Sequence, residues 1–244
     1  MLANNNLFDI EGIQNLLNKY LGISIKKFPS RDERRLLKYL NNKKINIAFD
    51  IGANVGQYAN FLINTGFSGK IYSFEPQKEA FYSLKKNMNK YKSRWEGINV
   101  GLGSSSGEVL INKSANSVSS SILPILNHHI EAEKNSIYVS KENIKIITLD
   151  EFIVERELNP ESIFLKIDSQ GYEYNILMGS LNSLSYIKAL QIEMSIKPLY
   201  DGEKSFFELN DFITKKGFKI SGIQSGFANE LECKLLQMDV IYTK

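Results

Sequence analysis

One cysteine occurs in the 244 residues. Cys233 has no second cysteine to pair with, so an internal disulfide framework is excluded, and the Cys spacing of a zinc site is absent. Charge of one sign is also missing. Thirty basic residues stand against 27 acidic ones, a formal net charge of +3, and no run of Lys or Arg reaches five. So mild a balance gives no reason to expect a nucleic-acid partner. No stretch approaches ~20 apolar residues, so no membrane-spanning helix is expected. The opening MLANNNLFDIEG lacks a basic segment followed by an apolar core. No signal peptide is therefore expected, and a reducing, cytoplasmic setting follows. What remains is enough for one sizeable α/β domain, with or without a small appendage. Its composition is 43% hydrophobic, and 14 Phe and 12 Tyr make the expected core rich in aromatics.

Periodicity divides the chain in two. Leu7, Ile10, Ile13, Leu17 and Leu21 recur at helical spacing, and a second helical patch runs over 32–40 with Leu36, Leu37 and Leu40 inward. Pro29 breaks the two, and Ser30 is placed to cap the second. Residues 1–44 thus read as a helical N-terminal extension and 45–244 as the main domain. Beyond residue 44, strand candidates at 45–50, 70–75, 97–102, 163–168, 189–193, 218–224 and 236–242 alternate with helix candidates near 56–65, 77–91, 172–184 and 205–216. Such alternation predicts an α/β fold, a mostly parallel sheet with helices on both faces. The last two strands read as an antiparallel hairpin at the sheet edge. Residues 112–143 break the rhythm: they are polar, serine-rich and weakly periodic, and they hold both histidines. A long connection of this kind is a candidate lid or substrate loop, with a plain surface excursion as the alternative.

The stretch FDIGANVGQY ends the first strand in an acid and follows it with Gly52 and Gly56. Ligands of open α/β sheets sit beyond the carboxyl ends of the strands. Glycine there allows a tight turn and close approach. The dinucleotide fingerprint fails, because Asn54 and Gln57 occupy two of its three glycine positions, and a P-loop lysine is missing. Asp50 would repel a pyrophosphate and attract an ammonium group. S-adenosylmethionine has that ammonium and no phosphate. Glu75 ends the second strand in KIYSFEP, where an acid accepts hydrogen bonds from ribose hydroxyls. Pro76 supplies an apolar wall for the adenine, with Val100, Gly101 and Leu102 across from it.

Taken together, FDIGANVGQY, FEPQ, LDEF, FLKIDSQGYEYNILMG and EMSIKPLYDG resemble the FkbM family of S-adenosylmethionine-dependent methyltransferases, over about residues 45–242. The resemblance implies a Rossmann-like methyltransferase fold with seven strands, and O-methylation, often of sugars or polyketides. It assigns Asp50, Gly52, Asn54, Gly56 and Glu75 to the cofactor, with Ala53 in the same loop. It does not reach residues 1–44 or clearly 112–143, the parts expected to read the acceptor.

Further strand tips supply the rest of the expected site. Asp168 ends the fourth strand and Glu193 lies near the end of the fifth. Lys166, two residues from Asp168, points to the same side. Two carboxylates in one crevice serve as a general base or as ligands of a hard cation. His128 and His129 are adjacent, so at most one enters a site; the alternative is a solvated pair. A divalent metal, if present, would take Asp168, Glu193 and one of these histidines, but no compact ligand motif marks one. Ser120, Lys197 and Tyr200 are candidates for acceptor contacts. The competing readings are an NAD-dependent oxidoreductase, an RNA methyltransferase and a non-catalytic binding module on the same fold.

Overall fold

The computed structural model describes residues 28–244 apart from Lys92, Asn159 and Leu231. The helix expected over 7–21 lies outside the described residues. Ser30 does cap a helix. Its hydroxyl accepts from the Glu33 N–H at 3.3 Å, and the Glu33 carboxylate accepts from the Ser30 N–H at 2.5 Å. This reciprocal cap starts α1, Arg31–Asn42, and the helix turns Leu36, Leu37 and Leu40 inward.

Strand and helix then alternate: β1 (Ile47–Ile51), α2 (Gln57–Asn64), β2 (Lys70–Phe74), α3 (Lys78–Met88) and β3 (Trp95–Ile98). The chain next leaves the sheet through β4 (Gly101–Leu102), β5 (Gly107–Ser114), α4 (Asn127–Ala132), β6 (Tyr138–Ile147) and α5 (Leu149–Glu155). It returns as β7 (Ile163–Ile167), α6 (Glu173–Met178), β8 (Ile187–Ser195), α7 (Phe206–Lys215) and β9 (Lys219–Ser225). A small ribbon of β10 (Ala228–Asn229) and β11 (Lys234–Leu235) precedes β12 (Gln237–Thr243).

The main sheet has seven strands in the order β3-β2-β1-β7-β8-β12-β9. Every pairing is parallel except those of β12, which runs antiparallel to both β8 and β9. The expected terminal hairpin is therefore present, and its second strand lies inside the first. Side chains alternate between two cores, as the period of two requires. Phe49, Ile51, Leu165, Ile167, Leu190 and Ile192 pack on one face. Ala48, Phe164, Ala189 and Ile241 pack on the other, with the three leucines of α1. The α/β class and the mostly parallel seven-stranded sheet stand as expected.

Three expectations need correction. Residues 97–102 do not form one strand: β3 ends at Ile98, and Gly101–Leu102 pairs instead in a separate sheet of order β4-β6-β5. Residues 112–143 are not one long connection, because their two ends belong to the β5–β6 antiparallel ladder. That ladder buries little beyond Ile111, Ile144 and Ile146 of its apolar side chains, so its sequence carries only a faint apolar signal. Helix α6 also stops early, at Gly179, where a Cβ would fall 1.9 Å from the Gly103 carbonyl oxygen.

Candidate functional site

A cavity of about 660 Å³ opens over the tips of β1, β2, β7 and β8, where β12 enters beside them. That size suits a small-molecule site. The loop after β1 forms one end. Gly52, Asn54 and Gly56 all have positive φ, at +75°, +47° and +89°. A Cβ on Gly52 would sit 1.7 Å from the Asp168 carbonyl oxygen. Glycine is thus required there because the β1 and β7 tips touch, and Gly52 also lines the cavity. A Cβ on Gly56 would strike the Trp95 ring at 2.5 Å, so this glycine seats α2 against β3 and does not line the cavity.

Glu75 follows β2 and lines the cavity, almost fully buried. Its Oε2 accepts from the Asn54 N–H and its Oε1 from the Gln77 N–H, each at 2.8 Å. A carboxylate has about four acceptor positions, so each oxygen keeps capacity for a ligand hydroxyl. Burial pushes the Glu75 pKa up to about 7, against the pull of those two N–H groups. Ile51, Phe74, Pro76 and Leu102 provide apolar wall nearby, and Gly101 leaves it open. An acid with two free acceptor positions beside an apolar wall fits the ribose and adenine of S-adenosylmethionine. Val100, expected on that wall, packs into the core instead.

Asp50 also needs correction. It lies within β1 rather than at its tip, fully buried, and does not line the cavity. Strand register sets Ser73, Asp50, Lys166 and Gln191 side by side across β2, β1, β7 and β8. Asp50 Oδ2 accepts from the Ser73 hydroxyl at 3.0 Å, and Trp95 Nε1 donates to that hydroxyl at 2.9 Å. Asp50 Oδ1 has no hydrogen bond, but Lys166 Nζ stands 3.9 Å away. Burial raises the Asp50 pKa, and Lys166 opposes the rise. Asp50 is a counter-charge under the floor, beside Lys166, and its charge also helps raise the Glu75 pKa.

The other end of the cavity gathers Lys166, Asp168, Gln170, Gln191, Glu193, Gln237 and Asp239. Lys166 Nζ bonds Asp168 Oδ2 at 3.0 Å. Gln170 Nε2 donates to Asp168 Oδ1 at 3.0 Å and to Glu193 Oε2 at 2.7 Å. Gln237 Nε2 adds a second bond to Glu193 Oε2 at 3.1 Å. Asp239 is the cross-strand partner of Glu193. Burial disfavours an ionised Asp168, but Lys166 and the neighbouring donors outweigh it and hold the pKa below its ordinary value. Burial, with Asp168 and Asp239 nearby, pushes the Glu193 pKa well up. The two carboxyl groups are thereby separated in character: Asp168 is charged, and Glu193 holds a proton more readily.

Gln170 was not singled out from the sequence. It has a left-handed backbone, φ +56°, before Gly171 at +95°. Glu173 Oε1 holds this turn by accepting from the Ser169 N–H, the Ser169 hydroxyl and the Gly171 N–H. The Ser121 hydroxyl donates to the Gln170 carbonyl at 2.6 Å. Tyr200, expected to face the acceptor, is fully buried behind the wall with its hydroxyl 2.8 Å from Gln170 Oε1. Gln191, Gln237 and Asp239 were missed as well; amides have no titration signature, and Asp239 depends on where β12 inserts.

The histidines part company, as adjacent helical residues do. His129 lines the cavity, whereas His128 Nε2 lies 2.8 Å from the Pro198 carbonyl oxygen, outside it. Ser120 lines the cavity and Lys197 is exposed away from it. Among the described residues no group of three or more His, Cys, Asp and Glu side chains is placed to hold a metal ion, so the set named for a metal, if one were present, is not brought together. No helix among the described residues is long and apolar enough to cross a membrane.

The chain is similar to known proteins. A hexuronic acid methyltransferase, AglP, of Haloferax volcanii is 25% identical over 148 residues, 61% of this chain and 55% of that protein. The aligned segment thus spans about half the length of that relative. Among solved structures, TrmK of M. capricolum bound to S-adenosylhomocysteine superposes at a TM-score of 0.49 with 12% identity, covering 89% of this chain and 70% of that one. An rRNA methylase from Streptococcus thermophilus gives 0.46 at 15% identity, covering 89% and 99%. The FkbM methyltransferase domain model matches residues 50–220, more than two thirds of the chain. It takes in the β1 loop, Glu75 and the carboxyl cluster from Lys166 to Glu193, though not Gln237 or Asp239, and on that match this chain belongs to the FkbM family of S-adenosylmethionine-dependent methyltransferases.

Proposed function

We propose that this protein transfers the methyl group of S-adenosylmethionine to a hydroxyl of a sugar, glycan or similar small molecule. The observation that carries this reading is the pairing, in one cavity, of the Glu75 end with a carboxyl cluster joined by Gln170. The hexuronic acid methyltransferase likeness supports a sugar acceptor. Bound S-adenosylmethionine supplies a methyl group already activated for displacement. Glu75 takes the ribose hydroxyls, and Pro76, Gly101 and Leu102 flank the base.

An attacking hydroxyl must lose its proton, and a positioned base is worth roughly 10²–10⁴-fold. Glu193 is the base in this reading. Its Oε2 is occupied by two amide donors, while Oε1 receives none of the hydrogen bonds formed by the described residues. The proton therefore arrives at Oε1. A raised pKa makes Glu193 a stronger base once ionised than Asp168, whose charge is committed to Lys166. Ser119–Ser121, close to Gln170 through Ser121, form the acceptor wall within the 112–143 segment.

The test is transfer of labelled methyl from S-adenosylmethionine to a panel of glycosides, with the product mapped by mass spectrometry. An O-methyl sugar is expected. Label found only on nitrogen or carbon acceptors would overturn the proposal.

A further inference from the structure

The cavity has an ionic balance that hydroxyl methylation does not itself demand. Among the described residues lining the cavity, carboxyl groups come from Glu33, Glu75, Glu133, Asp168, Glu193 and Asp239, and the one ammonium from Lys166. That ammonium is already engaged, 3.0 Å from Asp168 Oδ2 and 3.9 Å from Asp50 Oδ1. No arginine lies on this described wall.

A second feature points to what does bind. His129 is 2% exposed, and its Nδ1 has no hydrogen-bond partner. The ring is fixed between Tyr200 and Phe227, at centroid distances of 5.2 and 5.4 Å. Burial, aided by His128, lowers its pKa to about 4, so at neutral pH it meets a ligand uncharged. A neutral imidazole offers one N–H and one lone pair, the complements of a hydroxyl, and no charge for a carboxylate or phosphate. A buried polar atom left without a partner is costly, and a ligand hydroxyl relieves that cost. Phe227, also on the wall, offers an apolar surface to the C–H face of a pyranose.

We infer that the sugar ring entering this cavity is uncharged, a neutral hexose or deoxyhexose rather than a uronic acid or sugar phosphate, with His129 bonded to one of its hydroxyls. The inference deepens the O-methyltransferase reading and rests on it for the ring being a sugar. It separates this chain from the hexuronic acid methyltransferase it resembles. An anionic ring would leave water for a cleft in which, among the described residues, no free cation compensates it.

The test uses three pairs of methyl glycosides, gluco, galacto and manno, each neutral sugar matched with its C6 carboxylate. Saturation-transfer NMR on the full chain with S-adenosylhomocysteine reads binding, and release of S-adenosylhomocysteine from S-adenosylmethionine reads turnover. At least one neutral member is expected to bind, with its carboxylate about tenfold weaker or more. Equal or tighter binding of the carboxylates, or no binding signal from any neutral member, overturns the inference. Binding of neutral sugars without turnover counts against the O-methyltransferase reading and leaves the inference standing. Turnover confined to the carboxylates upholds that reading and overturns the inference. His129→Phe should lose the neutral-sugar signal and His129→Gln retain it, at unchanged S-adenosylhomocysteine affinity by calorimetry. Equal sugar binding by both variants and the native chain removes His129 from the contact and overturns its assigned role.

Discussion

The side-chain amide of Gln170 lies 2.7 Å from Glu193 Oε2, joining the loop after β7 to the strand beside it. The same nitrogen reaches Asp168, so one neutral group donates to two carboxyl groups. Gln170→Glu replaces the donor with a third acid. Turnover at neutral pH should fall by about 10²-fold or more, the scale of a misplaced general base. S-adenosylhomocysteine affinity should change little. A variant with native turnover would show that Gln170 has no part in positioning Glu193.

Glu193 should give the reaction its pH dependence. Burial, Asp168 and Asp239 raise its pKa. A base works only when deprotonated, so turnover should rise with pH through that raised value and level off above it. Glu193→Gln should remove this limb and lower the rate by roughly 10²–10⁴-fold. If the limb survives in the variant, another group is the base.

Cofactor binding should respond to a different acid. The Glu75 pKa is about 7 with no ligand bound, raised by burial. Ribose hydroxyls bond best to the ionised carboxylate, so protonation competes with binding. Affinity for S-adenosylhomocysteine should therefore weaken as pH falls below about 7 and hold steady above it. Glu75→Ala should cost about 1.5–3 kcal/mol above that pH and abolish the dependence. Calorimetry across the range checks both.

Gly52 should tolerate no side chain. Its φ is +75°, and a Cβ would meet the Asp168 carbonyl at 1.7 Å. Gly52→Ala should destabilise the fold by more than about 2 kcal/mol, since both backbone atoms must move. Gly107→Ala, with nothing within 4 Å of the added Cβ, should stay within about 0.5 kcal/mol. Denaturant unfolding of the two variants makes the comparison. Equal stability would show that the β1 and β7 tips separate easily.

Sequence alone determined the alternation of elements and the end of the sheet that carries the site. INIAF and IFLKI read as strands because a strand covered on both faces is a short, mostly apolar run, and β7 is buried throughout. The turn at Gly52 and the acids at 75, 168 and 193 were legible because strand ends and turn residues leave local marks. The β5–β6 ladder was not legible, since polar residues fill most of it and the two strands meet across a long intervening segment.

Tertiary structure alone decided which of those residues face the cavity. Asp50 falls under the floor, while its register neighbours Lys166 and Gln191 and the next residue, Ile51, line the cavity. Insertion of β12 between β8 and β9 sets Asp239 opposite Glu193, 46 positions earlier in the chain (239 − 193). Gln170, Ser121 and Tyr200 are bonded together from three separate segments. Neutral hydrogen-bonding groups carry no periodicity and no charge pattern. Their roles exist only once packing has brought them together, and that is a property of the folded chain.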